Sequence, residues 1–97
     1  MKALRIDQHG VTEVEADEQD ILSPEITWDT LDLDSTHDIW CDDEGLFAPE
    51  AFMASIGKHR RVPLPAYLLG VSGERAVDAT ISADELQSMV TDIRPVG

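Results

Sequence analysis

The sequence predicts an α+β fold: a small, mostly antiparallel sheet of about five strands with two or three short helices, the C-terminal helix packed on the sheet. Three observations carry that expectation. Apolar and β-branched residues alternate with period two over residues 11–16 and 75–81. Turn-forming residues separate such runs, as in Gln8-His9-Gly10, Asp42-Asp43-Glu44-Gly45 and Ser72-Gly73. Ser82, with Glu85 three positions on, makes a capping box ahead of Leu86, Met89, Val90 and Ile93, which recur at helical spacing.

Taken in order, residues 2–6 read as a strand with Leu4 and Ile6 on one face. Residues 11–16 return as its hairpin partner, Thr12, Val14 and Ala16 facing one way and Val11, Glu13 and Glu15 the other. Residues 17–35 mix acids with Ile21, Leu22, Ile26, Trp28, Leu31 and Leu33 without a sustained period, and read as one short helix after Ser23-Pro24 or an ordered loop. Residues 36–41 read as a third strand, Ile39 and Cys41 on one face and Trp40 on the other.

Residues 49–56 read as a short helix, with Pro49 in its first turn, Phe52, Met53 and Ile56 as an apolar stripe, and Gly57 at its end. Lys58, His59, Arg60 and Arg61 follow, then Val62-Pro63-Leu64-Pro65, whose prolines predict a rigid extended link. Residues 66–71 are nearly all apolar, as a central strand covered on both faces is, and lead by a hairpin into residues 75–81. The helix capped by Ser82 then runs until Pro95 stops it. Residues 65–93 thus form a hairpin-helix scaffold within a single domain spanning 1–97.

Charge is the main compositional fact. Asp and Glu number 20 against 7 Lys and Arg, a formal net charge of −13. Between residues 7 and 50 stand fifteen of the acids and no Lys or Arg. A negative field of this kind repels phosphates and anionic lipid, so direct nucleic-acid and membrane binding are not expected, and a basic protein partner is. The single cysteine, Cys41, makes no internal disulfide, and the charges of Lys2, Arg5 and Asp7 interrupt any early apolar run. A cytoplasmic location is the expectation. A homodimer is left open.

No motif specifies catalysis. Asp32-Leu33-Asp34-Ser35-Thr36 has the look of the aspartyl-nucleophile motif of haloacid-dehalogenase-type phosphatases, but the doubly wound sheet that chemistry uses has no room here. His37 and Cys41 lie four residues apart on the expected strand, roughly 13 Å, too far to share a zinc ion. Cys41 is expected in the core and His37 at the surface. Asp42, Asp43 and Glu44 lack the twelve-residue spacing of an EF-hand, and Gly70, Ser72 and Gly73 lack the lysine of a phosphate loop. Neither an enzymatic activity nor a metal or cofactor is predicted, and the basic cluster at residues 58–61 reads as local counter-charge.

Three segments carry a resemblance: Met1-Lys2-Ala3-Leu4-Arg5-Ile6, Gly10-Val11-Thr12-Glu13-Val14-Glu15 and Ile39-Trp40-Cys41-Asp42-Asp43-Glu44-Gly45-Leu46. Together they resemble the layout of a domain-of-unknown-function family of small proteins carried by phages, plasmids and actinobacteria. The resemblance covers about half the chain and implies a mobile-element accessory protein. It transfers no catalytic residue, and the family's Val-Gly-Gly step and the Asn after its acidic turn are missing here.

The expected function is therefore a non-catalytic protein-interaction protein, phage- or mobile-element-encoded, that binds a basic host partner. The contact residues expected are Trp28, Asp29, Asp32, Asp34, Asp38, Trp40, Asp42, Asp43 and Glu44, the two tryptophans serving as apolar anchors. One alternative is a DNA mimic that inhibits a nucleic-acid-binding protein, which requires carboxylates in a regular two-row array. Another is a housekeeping or enzymatic protein whose acidity reflects a salt-adapted or high-GC proteome.

Overall fold

A computed structural model describes residues 1–48 and 50–96 of the chain. The fold is mostly β, 55% strand and 13% helical, with a six-stranded and a three-stranded sheet, which corrects the expected α+β sheet of about five strands. The larger sheet is ordered β2 (Gly10–Glu15), β1 (Lys2–Asp7), β7 (Ala66–Ser72), β4 (His37–Asp42), β3 (Trp28–Asp34), with β8 (Arg75–Val77) beside β7, and the smaller is ordered β6 (His59–Leu64), β5 (Phe52–Ile56), β9 (Val90–Pro95). Every paired neighbour runs antiparallel.

The first hairpin forms as its alternation predicts, β1 (Lys2–Asp7) pairing β2 (Gly10–Glu15) from Lys2 opposite Glu15 to Asp7 opposite Gly10. The segment expected as one helix or a loop resolves into a four-residue helix, α1 (Glu18–Ile21), and an edge strand, β3 (Trp28–Asp34). In β3 the inward Leu31 and Leu33 alternate with Thr30 and Asp32. That period-two signal is diluted by the acids that keep an edge strand from pairing with other chains. Next comes β4 (His37–Asp42), with Ile39 and Cys41 in the main core and Trp40 on the opposite face, as its pattern predicts.

The expected helix over residues 49–56 is not helical where it is described. Pro49 lies outside the described residues, and β5 (Phe52–Ile56) is the middle strand of the small sheet, between β6 (His59–Leu64) and β9 (Val90–Pro95). Five residues are too few to separate a buried strand from a helical turn by periodicity. The supposed proline-rich link is β6 itself. Beyond it, β7 (Ala66–Ser72) is the central strand of the large sheet, flanked by β4 along one edge and by β1 and β8 (Arg75–Val77) along the other.

The C-terminal helix is the other correction. Ser82 caps it as expected, its Oγ accepting from the Glu85 N–H at 3.0 Å. Yet α2 (Ala83–Gln87) stops after five residues, and the chain continues as β9, through Pro95. Val90, Thr91 and Ile93 are β-branched and favour a strand, and β5 offers a ladder to pair with. A register shift between Met53 and Ser55 of β5 faces Asp92, whose φ of 55° is one that Asp tolerates. Leu86 and Val90 are buried nonetheless, so the apolar stripe reaches the core by two different conformations. Ser82→Ala is expected to cost about 1 kcal/mol, lowering the melting temperature by roughly 5 °C; an unchanged thermal melt would show that the cap contributes nothing.

The two sheets face each other across one core, in which Leu4, Ile6, Ile39 and Leu68 of the large sheet meet Ile56 and Val62 of the small one. The reverse face of the large sheet carries a second cluster of Ala3, Leu69 and Ile21, the last supplied by α1, with Trp40 and Tyr67 packed against it. That reverse face, half covered, is where the candidate site lies.

Candidate functional site

All nine residues expected to meet a partner fall on one β-ribbon and its exit turn. Trp28, Asp29, Asp32 and Asp34 lie on β3; Asp38, Trp40 and Asp42 lie on β4; Asp43 and Glu44 follow directly. The register sets Trp28 opposite Asp42, Thr30 opposite Trp40 and Asp32 opposite Asp38, three rungs whose side chains share the reverse face. Asp29 instead stands opposite the core residue Cys41, and Asp34 opposite His37.

Asp34 has structural employment. Its Oδ1 accepts from the Thr36 N–H at 2.8 Å and lies 3.1 Å from His37 Nδ1. The Thr36 N–H bond, aided by the His37 contact, holds the Asp34 carboxyl below the usual carboxylate range. His37 is buried, at 2% exposure, which corrects its expected place at the surface. Its Nε2 accepts from the Thr80 N–H at 3.1 Å, with the Thr80 hydroxyl 3.0 Å away. A backbone N–H only donates, so Nε2 carries the lone pair and Nδ1 the proton that is given to Asp34. Aspartate, imidazole and hydroxyl stand in line as in a nucleophilic triad, but the backbone N–H already occupies the lone pair a general base needs. The network is a clamp holding the segment after β8 against β4.

Asp32 is also engaged, with Lys58 Nζ 2.8 Å from its Oδ2, and that hydrogen bond lowers its carboxyl's pKa. The His59 Nε2 donates to the Asp32 carbonyl at 2.7 Å. Part of the basic cluster therefore serves as counter-charge to the ribbon. Asp38 has no such help: burial, then Asp32 and Asp34, push its carboxyl above the usual range. A carboxylate whose folded pKa is raised favours the fold below its unfolded pKa and loses that contribution as pH rises through the folded value. Asp38→Asn is accordingly expected to stabilise at neutral pH by about 0.5 kcal/mol, since like charges face each other across the rung. The gain should shrink as pH falls toward 4, and a gain that is constant with pH, or a loss, would contradict it.

Trp40 is less an exposed anchor than a packed one, partly buried against the second cluster. Its Nε1 is buried and, among the described residues, has no hydrogen-bond partner. Cys41 is a core thiol, raised to about 11 by burial and the neighbouring acids, and so is inert as a nucleophile. Among the described residues no three His, Cys, Asp or Glu side chains gather as metal ligands.

Trp28 leads to an arrangement with ligand-like geometry. Its Nε1 donates to the Ser23 carbonyl at 2.9 Å, and its ring meets Tyr67 edge-on, centroids 6.1 Å apart at 77°. Tyr67 is held in turn by Arg5, whose Nη1 donates to its hydroxyl at 2.8 Å. These two rings, with Ile21, Ile26 and Leu64, wall a cleft of about 410 Å³, and Asp20, Asp42 and Glu50 bring carboxylates to it. The cleft forms where the α1–β3 connection, the turn after β4 and the passage from β6 to β7 converge, between Trp28 and Tyr67 of the reverse face and Leu64 of the small sheet. Phe47, at the end of a 3-10 turn over Gly45–Phe47, is 83% exposed, while Gly45 at the start of that turn and Ala48 just after it line the cleft.

Of the residues named from sequence, the cleft gathers Trp28 and Asp42 and leaves the other seven outside. Sequence reasoning missed Tyr67, Asp20, Glu50 and Phe47. Tyr67 carried a signal, being the one aromatic in an otherwise aliphatic central strand; Phe47 carried a weaker one, a large apolar residue directly after an acidic turn.

Comparisons with family models, with curated proteins and with solved structures each return no match. Among the described residues no helix is long and apolar enough to cross a membrane.

Proposed function

We propose that this chain is a non-catalytic interaction protein that docks a basic segment of another protein on the reverse face of its large sheet. The observation that carries this reading is the aromatic-walled cleft with three carboxylates, set beside an exposed Phe47, on a chain of net charge −13. Acidic potential steers a basic partner and sets its rate of approach, while desolvated apolar anchors supply affinity. The reading places the protein in the cytoplasm and, by the resemblance of its strands and turns, among mobile-element accessory proteins.

The reading favours a generic acidic docking face over a DNA mimic. On the ribbon the outward acids Asp32 and Asp38 are separated from Asp42 by the Thr30–Trp40 rung, and an indole there breaks a two-row series of phosphate stand-ins.

The test is titration of the protein with a blocked peptide of alternating basic and apolar residues, followed by tryptophan fluorescence. Saturable binding is expected, weakening several-fold between about 50 and 300 mM salt as screening sets in. A peptide of the same apolar content with acids in place of the basic residues should not bind. Equal binding of both peptides, or of neither, would overturn the reading.

A further inference from the structure

We propose that the cleft beside Trp28 is an arginine pocket, taking one arginine side chain of the docked segment; this rests on the function proposed above. The volume of about 410 Å³ lies near the lower end of ligand-sized cavities, roughly 300–1,000 Å³, so it suits a single long side chain rather than a helix. Its walls are apolar and aromatic, which matches the methylene stem of a basic residue. Besides Ser23, its polar lining residues are the acids Asp20, Asp42 and Glu50; Asp20 and Glu50 are exposed, and among the described residues none of the three belongs to an ion pair. One oxygen of Asp42 accepts from the Glu44 N–H at 3.0 Å, leaving the other for a ligand.

Arg5, the cation held against Tyr67, does not satisfy these acids. Arg5 is drawn to Asp7, its Nε 3.4 Å from Oδ2, and to the Tyr67 hydroxyl, and it does not line the cleft. Its guanidinium carbon, 5.8 Å from the Tyr67 ring centroid, sits within the distance at which an aromatic ring attracts a cation. Against that single positive charge the cleft sets three carboxylates.

Arginine fits better than lysine because a guanidinium is planar and weakly hydrated. It can lie against an indole or phenol ring while its forked N–H groups reach more than one carboxylate. An ammonium is a strongly hydrated point charge and loses more on leaving water.

The test uses a blocked peptide with one arginine flanked by leucines and uncharged polar residues, and its counterparts with lysine or citrulline at that position. Binding is read from the Trp28 indole N–H resonance, which the Ser23 carbonyl holds in a defined environment. The arginine peptide is expected to bind about tenfold more tightly than the lysine peptide, and the citrulline peptide more weakly still. Trp28→Leu, which lacks that resonance and is followed by titration calorimetry beside the wild type, should weaken the arginine peptide severalfold. So should Asp42→Asn with Glu50→Gln, which leaves the apolar walls intact and guards against a folding defect in the first variant.

If basic peptides bind the wild type and both variants equally, the pocket is wrong while the acidic docking face stands. If no basic peptide binds, both fall. Citrulline binding as tightly as arginine would mean an apolar groove without charge recognition. Acetylarginine amide binding as tightly as the peptide would point to a small-molecule ligand, and either result overturns the assignment.

Discussion

His37→Ala is expected to lower the melting temperature by roughly 15 °C, the equivalent of about 3 kcal/mol in a chain of this size. The substitution empties a fully buried site and removes the contacts of both ring nitrogens at once, those of Nδ1 with Asp34 and the Thr36 hydroxyl and those of Nε2 with the Thr80 N–H and hydroxyl. Two further variants separate them. Asn keeps a donor near the Nδ1 position, facing Asp34, and Gln keeps an acceptor near Nε2, facing Thr80. Each should recover part of the loss. Thermal or urea unfolding checks this, and a His37→Ala protein as stable as the wild type would mean that the clamp is incidental.

The second large effect lies across the ladder from the first. Gly70 of β7 pairs with His37 of β4 on one side and with Val77 of β8 on the other. A Cβ built on it would lie 2.5 Å from the Asp78 carbonyl oxygen and 3.0 Å from a Val77 methyl. The obstructing atom is backbone. It belongs to the segment that hands Thr80 to His37 and is itself tied to β1, Ala79 N–H donating to the Lys2 carbonyl at 2.9 Å and Lys2 N–H to Asp78 Oδ1 at 3.1 Å. Gly70→Ala therefore pushes apart a junction fixed from two sides, and is expected to cost about 2 to 3 kcal/mol.

Gly73, in the turn between β7 and β8, has φ of 64° and open space around its Cβ position. Gly73→Ala should cost about 1 kcal/mol, from backbone conformation alone. If the two alanine variants melt together, close approach is not what requires glycine at position 70.

These two predictions concern a junction that the sequence shows poorly. His37 reads as a polar residue in an acidic stretch, and its burial depends on Thr80, far along the chain, turning back to meet it. The same limit governs the site. Trp28 and Asp42 were visible as an aromatic and an acid in the charged half, and their pairing follows from the β3–β4 register. Tyr67 joins them because β7 lies beside β4, a long-range neighbour relation that no local pattern encodes.

Local physics was legible wherever a signal closes within a few residues. The alternation in β1 and β2, the apolar run of β7 and the Ser82 cap each state their conformation directly. Tertiary structure decided what such signals leave degenerate. Residues 52–56 and 90–95 carry apolar spacings that a helix also satisfies, and they are strands because each supplies the other's ladder, burying backbone groups that need partners. The cleft is likewise a product of packing. Its aromatic walls and acidic rim come from segments distant in sequence, and only the meeting of sheet, helix and turns on the reverse face makes them one site.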